Sequence, residues 1–211
     1  MNLTTGRMGL IAGRNGGGGA QTPVYAGYAQ STSINPVPPA HVAGDLLVAV
    51  GVRQGSTVAP TADAAWTLWG TESHGSVNLV IAVYYKIAVA SGTTITWTNA
   101  GNLRAVWRFT TAAPDTLNFS QGTSSTTLNF EAQPTMAANS LVGCYVLSLN
   151  AQTDISAITP DSLTERGKKN TASACWAGDS NTTLLSAYDP ANETFDTATP
   201  WMAAIFSIKG S

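Results

Sequence analysis

The feature that most constrains this chain is its punctuation. Short runs of Val, Ile, Leu, Tyr, Trp and Thr recur, each bounded by Gly, Pro, Asn, Asp or Ser, and no segment sustains helical apolar spacing with caps. The runs are Leu46–Arg53, Trp66–Trp69, Leu79–Ile87, Thr93–Trp97, Arg104–Phe109, Leu117–Phe119, Thr126–Phe130, Leu141–Leu149, Ser173–Trp176, Thr183–Tyr188 and Met202–Ile208. Evenly spaced short strands without intervening helices predict an all-β fold, an antiparallel sandwich or barrel. Leu79–Tyr85 is apolar at consecutive positions, whereas a half-solvated strand alternates, so this strand is either central or faces another subunit.

The runs fall into two similar sets. Ala43-Gly44-Asp45-Leu46-Leu47-Val48 matches Ala138-Asn139-Ser140-Leu141-Val142-Gly143 at an offset of 95, and Leu103–Phe109 matches Met202–Ile208 at an offset of 99. Between them, Trp66–Trp69 corresponds to Leu163–Arg166, and the long Leu79–Ile87 run to the weaker Ala172–Ala177. An internal pseudo-repeat, about 40–112 and 135–211, predicts one jelly-roll-like β-sandwich, with two small domains as the alternative. The sandwich body is expected over 23–211. Ahead of it, residues 1–22 include seven glycines and read as a flexible Gly-rich N-terminal arm, too poor in apolar surface to fold alone. Its Leu3, Met8, Leu10 and Ile11 suit a groove on a neighbour, and Arg7 and Arg14 suit carboxylates or carbonyls.

Composition removes several function classes. With 10 Lys and Arg against 12 Asp and Glu, the net charge of −2 supplies no cationic excess for a phosphate backbone, so no nucleic acid partner is expected. The uncharged stretch Ser76–Tyr85 is 10 residues, half of a membrane-spanning helix, so no membrane insertion is expected, and Met1–Ile11 does not read as a secretory signal. Only 10% of residues are charged, which together with the two-faced run points to a homo-oligomer of closed symmetry, a trimer among the natural forms. Cys144 and Cys175 sit in apolar runs without metal-ligand spacing and read as buried free thiols.

Catalytic stock is thin. His41 and His74 have no Cys or acid at a recurring spacing and read as surface or loop residues, and Gly13–Gly19 lacks the Lys-Ser/Thr ending of a phosphate loop. The oxygen-rich group Asp189, Asn192, Glu193 and Asp196 lacks the alternation and glycine of a calcium loop and reads as a solvated turn. No enzyme activity, cofactor or metal is expected. Of six tryptophans, Trp69 beside Gly70 and Trp201 beside Pro200 are the two placed for exposed aromatic contacts.

The order "AGDLLVAV" at Ala43–Val50, Trp66 closing a loop, "YYKIA" at Tyr84–Ala88, "TITW" at Thr94–Trp97, "AANSLVG" from Ala137 and "MAAIFSIKG" from Met202 resembles a repeated β-sandwich module of tailed-bacteriophage virion structural proteins. The similarity spans roughly Pro39–Gly210, and the Gly-rich N-terminus is similar to the arms of virion appendage proteins. The chain departs at Asp63-Ala64-Ala65, where many relatives carry Pro and Gly. The resemblance implies an assembly role for a viral protein in the virion, with other virion proteins as partners, and does not separate tail from head; a tail or fibre component is the expected role. A capsid decoration or head-fibre protein stays open, as does a carbohydrate-binding adhesive module contacting a host surface glycan.

Overall fold

The computed structural model describes residues 21–32, 35–99, 101–130, 132, 135–152, 158, 160–170 and 173–211. Among them there is no helix, and the strands are β1 (Val24–Ser31), β2 (Leu46–Gln54), β3 (Thr61–Ala62), β4 (Thr67–Ser73), β5 (Leu79–Ile87), β6 (Trp97–Thr98), β7 (Gly101–Thr110), β8 (Ala112–Leu128), β9 (Leu141–Ser148), β10 (Thr164–Lys169), β11 (Cys175–Asp179) and β12 (Glu193–Gly210). They form two five-stranded antiparallel sheets, in the orders β1-β7-β2-β5-β4 and β10-β11-β9-β12-β8, and a small β3-β6 ladder. The first sheet draws only on strands up to β7 and the second only on β8 to β12. A jelly roll alternates successive strands between its sheets, whereas this chain changes sheet once, at Thr111. That residue turns the corner with φ 51, a conformation unfavourable for a β-branched side chain.

Period-2 geometry explains the layering. Leu46, Val48, Val50, Val52, Leu79, Ile81, Val83 and Trp107 of the first sheet meet Tyr145, Leu147, Met202, Ala204 and Phe206 of the second in a single buried cluster. The intervening residues do not face water. On the outer side of the first sheet, Leu47, Ala49, Ala82, Tyr84 and Val106 are covered by Ala62, Trp66, Ile95 and Trp97. On the outer side of the second, Val142, Cys144, Val146, Ala203 and Ile205 are covered by Phe130, Met136, Ile158, Tyr188 and Phe195. The two-faced run in β5 is therefore central and covered by its own chain, which removes the need for another subunit to bury it. Each aliphatic or aromatic side chain so buried contributes about 1.5–3 kcal/mol, and three apolar clusters in one chain account for much of the shortage of charge.

The rings are seated on glycines. Trp97 lies over Gly51, Trp201 over Gly122, Trp176 over Gly178 and Phe206 over Gly143, each so close that a Cβ could not be added without moving the ring. The ladder at each sheet edge carries a register shift: β1 at Tyr25/Gly27, β4 at Leu68/Gly70, β10 at Glu165/Gly167, and β8 at three places against β12. Bulged edges are poor templates for strand addition, so association through the edges is disfavoured.

Several elements differ from the sequence expectation. β1 is absent from the expected runs, because its bulge interrupts the alternation of Tyr25, Tyr28 and Gln30 and hides the strand. Leu117–Phe119 and Thr126–Phe130 belong to one 17-residue strand as far as Leu128, because the Ser/Thr-rich stretch between them stays paired to β12. Thr183–Tyr188 is a loop rather than a strand, bridged at Ser140↔Leu185.

Candidate functional site

The first residue described, Gln21, sits beside the last. Its N–H donates to Ser211 O at 3.3 Å, Ser211 N donates to Thr111 O at 3.1 Å, and Thr111 Oγ1 donates to Thr22 O at 2.6 Å. The sheet-changing corner, the C-terminus and the root of the N-terminal segment are thus one hydrogen-bonded unit. Register places the neighbours of this end: Val24 opposes Thr110, and Leu46 opposes both Phe109 and Ile87. In the second sheet, Ile208 opposes Leu141, and Gly210 opposes Ala112.

This end carries unusual chemistry for a solvent face. Several of the eight exposed large hydrophobic side chains among the described residues lie toward this end, Val24, Val42, Ile87, Val89 and Leu184 among them, with Val89 80% exposed. Val42 reaches it through the Asp45 turn, since Val42 N donates to Asp45 Oδ2 at 2.8 Å and Ala88 N donates to Asp45 O at 2.8 Å. Several nearby charges are paired within the chain. Arg108 Nε pairs with Asp45 at 2.8 Å, Lys209 Nζ with Asp115 at 3.5 Å, and Arg166 forks onto Asp179 through Nε and Nη2, both at 2.8 Å. With Arg108 and Lys209 paired internally and Lys86 beside Ile87 carrying the remaining charge, the end presents largely aliphatic surface and neutral polar groups, the composition of a contact face.

Asp179 is the central polar group of the sandwich. Fully buried, it also accepts from Trp107 Nε1 of the opposite sheet at 3.1 Å and from Asn181 N at 2.8 Å. The hydrogen bonds that Arg166 donates to Asp179 hold its guanidinium still more firmly protonated. That guanidinium stacks over Tyr25, 4.0 Å from its centroid. Burial, followed by the Asp179 charge, pushes the Tyr25 phenol up. The cluster ties the two sheets together, since Arg166 and Trp107 donate to one buried carboxylate, so it is a structural strut.

Residues singled out in the sequence fall as follows. The arm residues Leu3, Arg7, Met8, Leu10, Ile11 and Arg14 lie outside the described residues. Trp201 is not an exposed platform: it lies on β12, 2% exposed, with its ring 6.5 Å from Phe130. Trp69 lies on β4 and turns into the inter-sheet core, against Tyr85 at 5.9 Å and Phe206 at 6.0 Å. Both assignments fail because the flanking Gly70 and Pro200 fall within strands rather than loops.

His41 and His74 lie in loops but are buried, 7% and 4% exposed. Thr93 N donates to His41 Nε2 at 2.8 Å, which leaves Nδ1–H to donate to Pro39 O at 2.7 Å. His74 Nε2–H donates to Gly122 O at 3.0 Å, and Nδ1 accepts from Ser76 N at 3.3 Å. With both ring nitrogens committed, each histidine pins a loop and neither is placed as a base.

Glu193 and Asp196 lie on β12 rather than in one turn with Asp189, and no group of three potential metal-ligating acids, histidines or cysteines occurs among the described residues. Cys144 faces the outer core and Cys175 the inter-sheet core, so these buried free thiols are on opposite faces; burial pushes the Cys144 thiol far up. The apolar end was missed in the sequence because its members are single aliphatics in loops or at strand termini, with no periodicity to gather them. No protein-family model matches the chain, and no curated protein or solved structure shows significant similarity to it.

Proposed function

We propose that this chain is a non-enzymatic structural protein of a tailed-phage virion, a tail or fibre component that attaches through residues 1–22 and the apolar end from which they emerge. The observation that carries the reading is the convergence at one end of Gln21, the C-terminal Ser211 and five exposed aliphatics. A body with three internally closed apolar clusters and bulged edges has little other surface that gains from burial. Its partners are other virion proteins and, in a closed symmetric assembly such as a trimer, further copies of itself.

The body is further read as two related halves. Support comes from the strand orders: β1-β7-β2-β5-β4 corresponds position by position to β8-β12-β9-β11-β10, in the same chain succession once β3 and β6 are set aside. The edge bulges correspond as well. Thr67-Leu68-Trp69-Gly70 skips Trp69 against β5, and Thr164-Glu165-Arg166-Gly167 skips Arg166 against β11. A Cβ on either glycine would strike the facing edge strand, Leu117 and Phe119 for Gly70, Gln30 and Tyr28 for Gly167.

Deleting Met1–Gly19 tests the attachment role. The three buried clusters described are built from residues of the sandwich body, so the melting temperature should move by no more than about 2 °C, equivalent to under about 1 kcal/mol for a chain of this size. Incorporation into particles should be lost. Incorporation at full copy number would assign attachment to the sandwich alone.

A further inference from the structure

The chain passes from one sheet to the other through a single residue: β7 ends at Thr110 and β8 begins at Ala112. Among the described residues every strand pairs within its own half, β1–β7 or β8–β12, so no ladder joins the halves. They meet through side chains, in the inter-sheet cluster and in the bond from Trp107 Nε1 to Asp179. Nothing in that contact depends on both halves belonging to one chain.

The connecting residue resists the conformation it holds. At φ 51 the β-branched Thr111 is in the left-handed region, and the corner is fixed by its bonds with Thr22 and Ser211. With Thr111 extended, β7 and β8 would run on as one strand from Gly101 to Leu128. A short hinge under strain favours exchange of identical elements between copies. What favours the closed chain is its tether, which for a short linker amounts to a roughly millimolar local concentration, and strain at the hinge lowers the protein concentration that competes with it. Partly exposed aliphatics adjoin the hinge as well: Val24 opposes Thr110, and Leu184 faces Val24 across a cleft that Thr22 also lines. In a dimer these side chains of the two lobes gain cover around the crossing strands.

We propose that two copies of this chain exchange halves, β8–β12 of each packing on β1–β7 of the other, with Thr111 extended as the hinge. The exchange does not depend on the virion reading. It repeats the contacts made within one chain, so the bulged sheet edges do not oppose it.

The test refolds the full chain at roughly millimolar concentration, the range in which a second copy competes with the tether. A Cβ on Gly167 would fall on the Gln30 side chain, so Gln30→Cys with Gly167→Cys sets a thiol on each half within reach of the other; Gly70→Cys with Leu117→Cys does the same at the opposite edge, and the two native cysteines are buried. Light scattering should show dimers, and after oxidation their disulfides should join different chains on a denaturing, non-reducing gel. Thr111→Gly, which takes a positive φ without strain, should weaken dimerisation about tenfold or more. Monomers alone at this concentration, dimers whose disulfides all lie within chains, or equal dimerisation of the parent and Thr111→Gly would each overturn the proposal.

Discussion

Asp179→Ala should lower stability by about 3–5 kcal/mol, the cost of breaking a buried ion pair and leaving its partner uncompensated. The carboxylate is 1% exposed and the Arg166 side chain 17%, so solvent cannot replace the lost contact. Trp107 Nε1, in the opposite sheet, loses its acceptor at the same time. For a chain of this length the expected fall in melting temperature is roughly 10 °C or more. Asp179→Asn, which keeps an acceptor for the indole, should cost less. Replacing the pair together, Asp179→Leu with Arg166→Met, should recover part of the loss because no charge is then stranded. Thermal unfolding of the four proteins checks this, and a single-variant loss below about 1 kcal/mol would contradict the strut.

The second large effect is expected at Gly143. A Cβ there would fall within the ring of Phe206, which is fully buried and held by Trp107 at 5.3 Å and Trp69 at 6.0 Å. With no free rotamer for the ring, Gly143→Ala should cost about 2–3 kcal/mol and Gly143→Val more, as overpacking of a filled core does. Gly75, where a Cβ meets nothing within 4 Å, is the control, and Gly75→Ala should stay within about 0.5 kcal/mol of the parent. Combining Gly143→Ala with Phe206→Leu should be strongly non-additive, because the smaller side chain vacates the space the methyl needs. Denaturant midpoints supply these numbers, and equal effects at Gly143 and Gly75 would refute the seating of rings on glycines.

Strand content was legible where chemistry is local. Leu79–Ile87 reads as a strand and is β5 to the residue, and the Leu46 and Leu141 runs are β2 and β9. Pairs of strands at offsets near 97 were legible too, but not their wiring, since strand order depends on which faces meet. What covers the outer faces was legible only in part: Ile95 and Phe130 fall in runs read as strands but not as covers, whereas Met136 lies in an irregular stretch where no period marks a buried residue. For that reason the doubly apolar β5 suggested another subunit when its own chain supplies the cover. The tryptophans misled for a related cause. Gly and Pro signal turns on average, yet Gly70 forms a bulge facing Leu117 and Phe119, and Pro200 falls inside β12. The apolar end needed coordinates, because Val24, Val42, Val89 and Leu184 are far apart in sequence.

The central claim is that the end bearing Gln21 and Ser211 is the attachment face. Quantitative mass spectrometry of purified particles, counting copies of the chain per particle, tests it most directly. The comparison is between a chain with Val42→Asp and Val89→Asp, at this end, and one with Val58→Asp, in the loop after β2 at the far end; all three valines are at least 59% exposed, so folding is spared. Carrying two carboxylates into an apolar contact costs several kcal/mol, so occupancy of the first chain should fall more than about tenfold while the second matches the parent. Equal copy numbers for both chains would contradict the account.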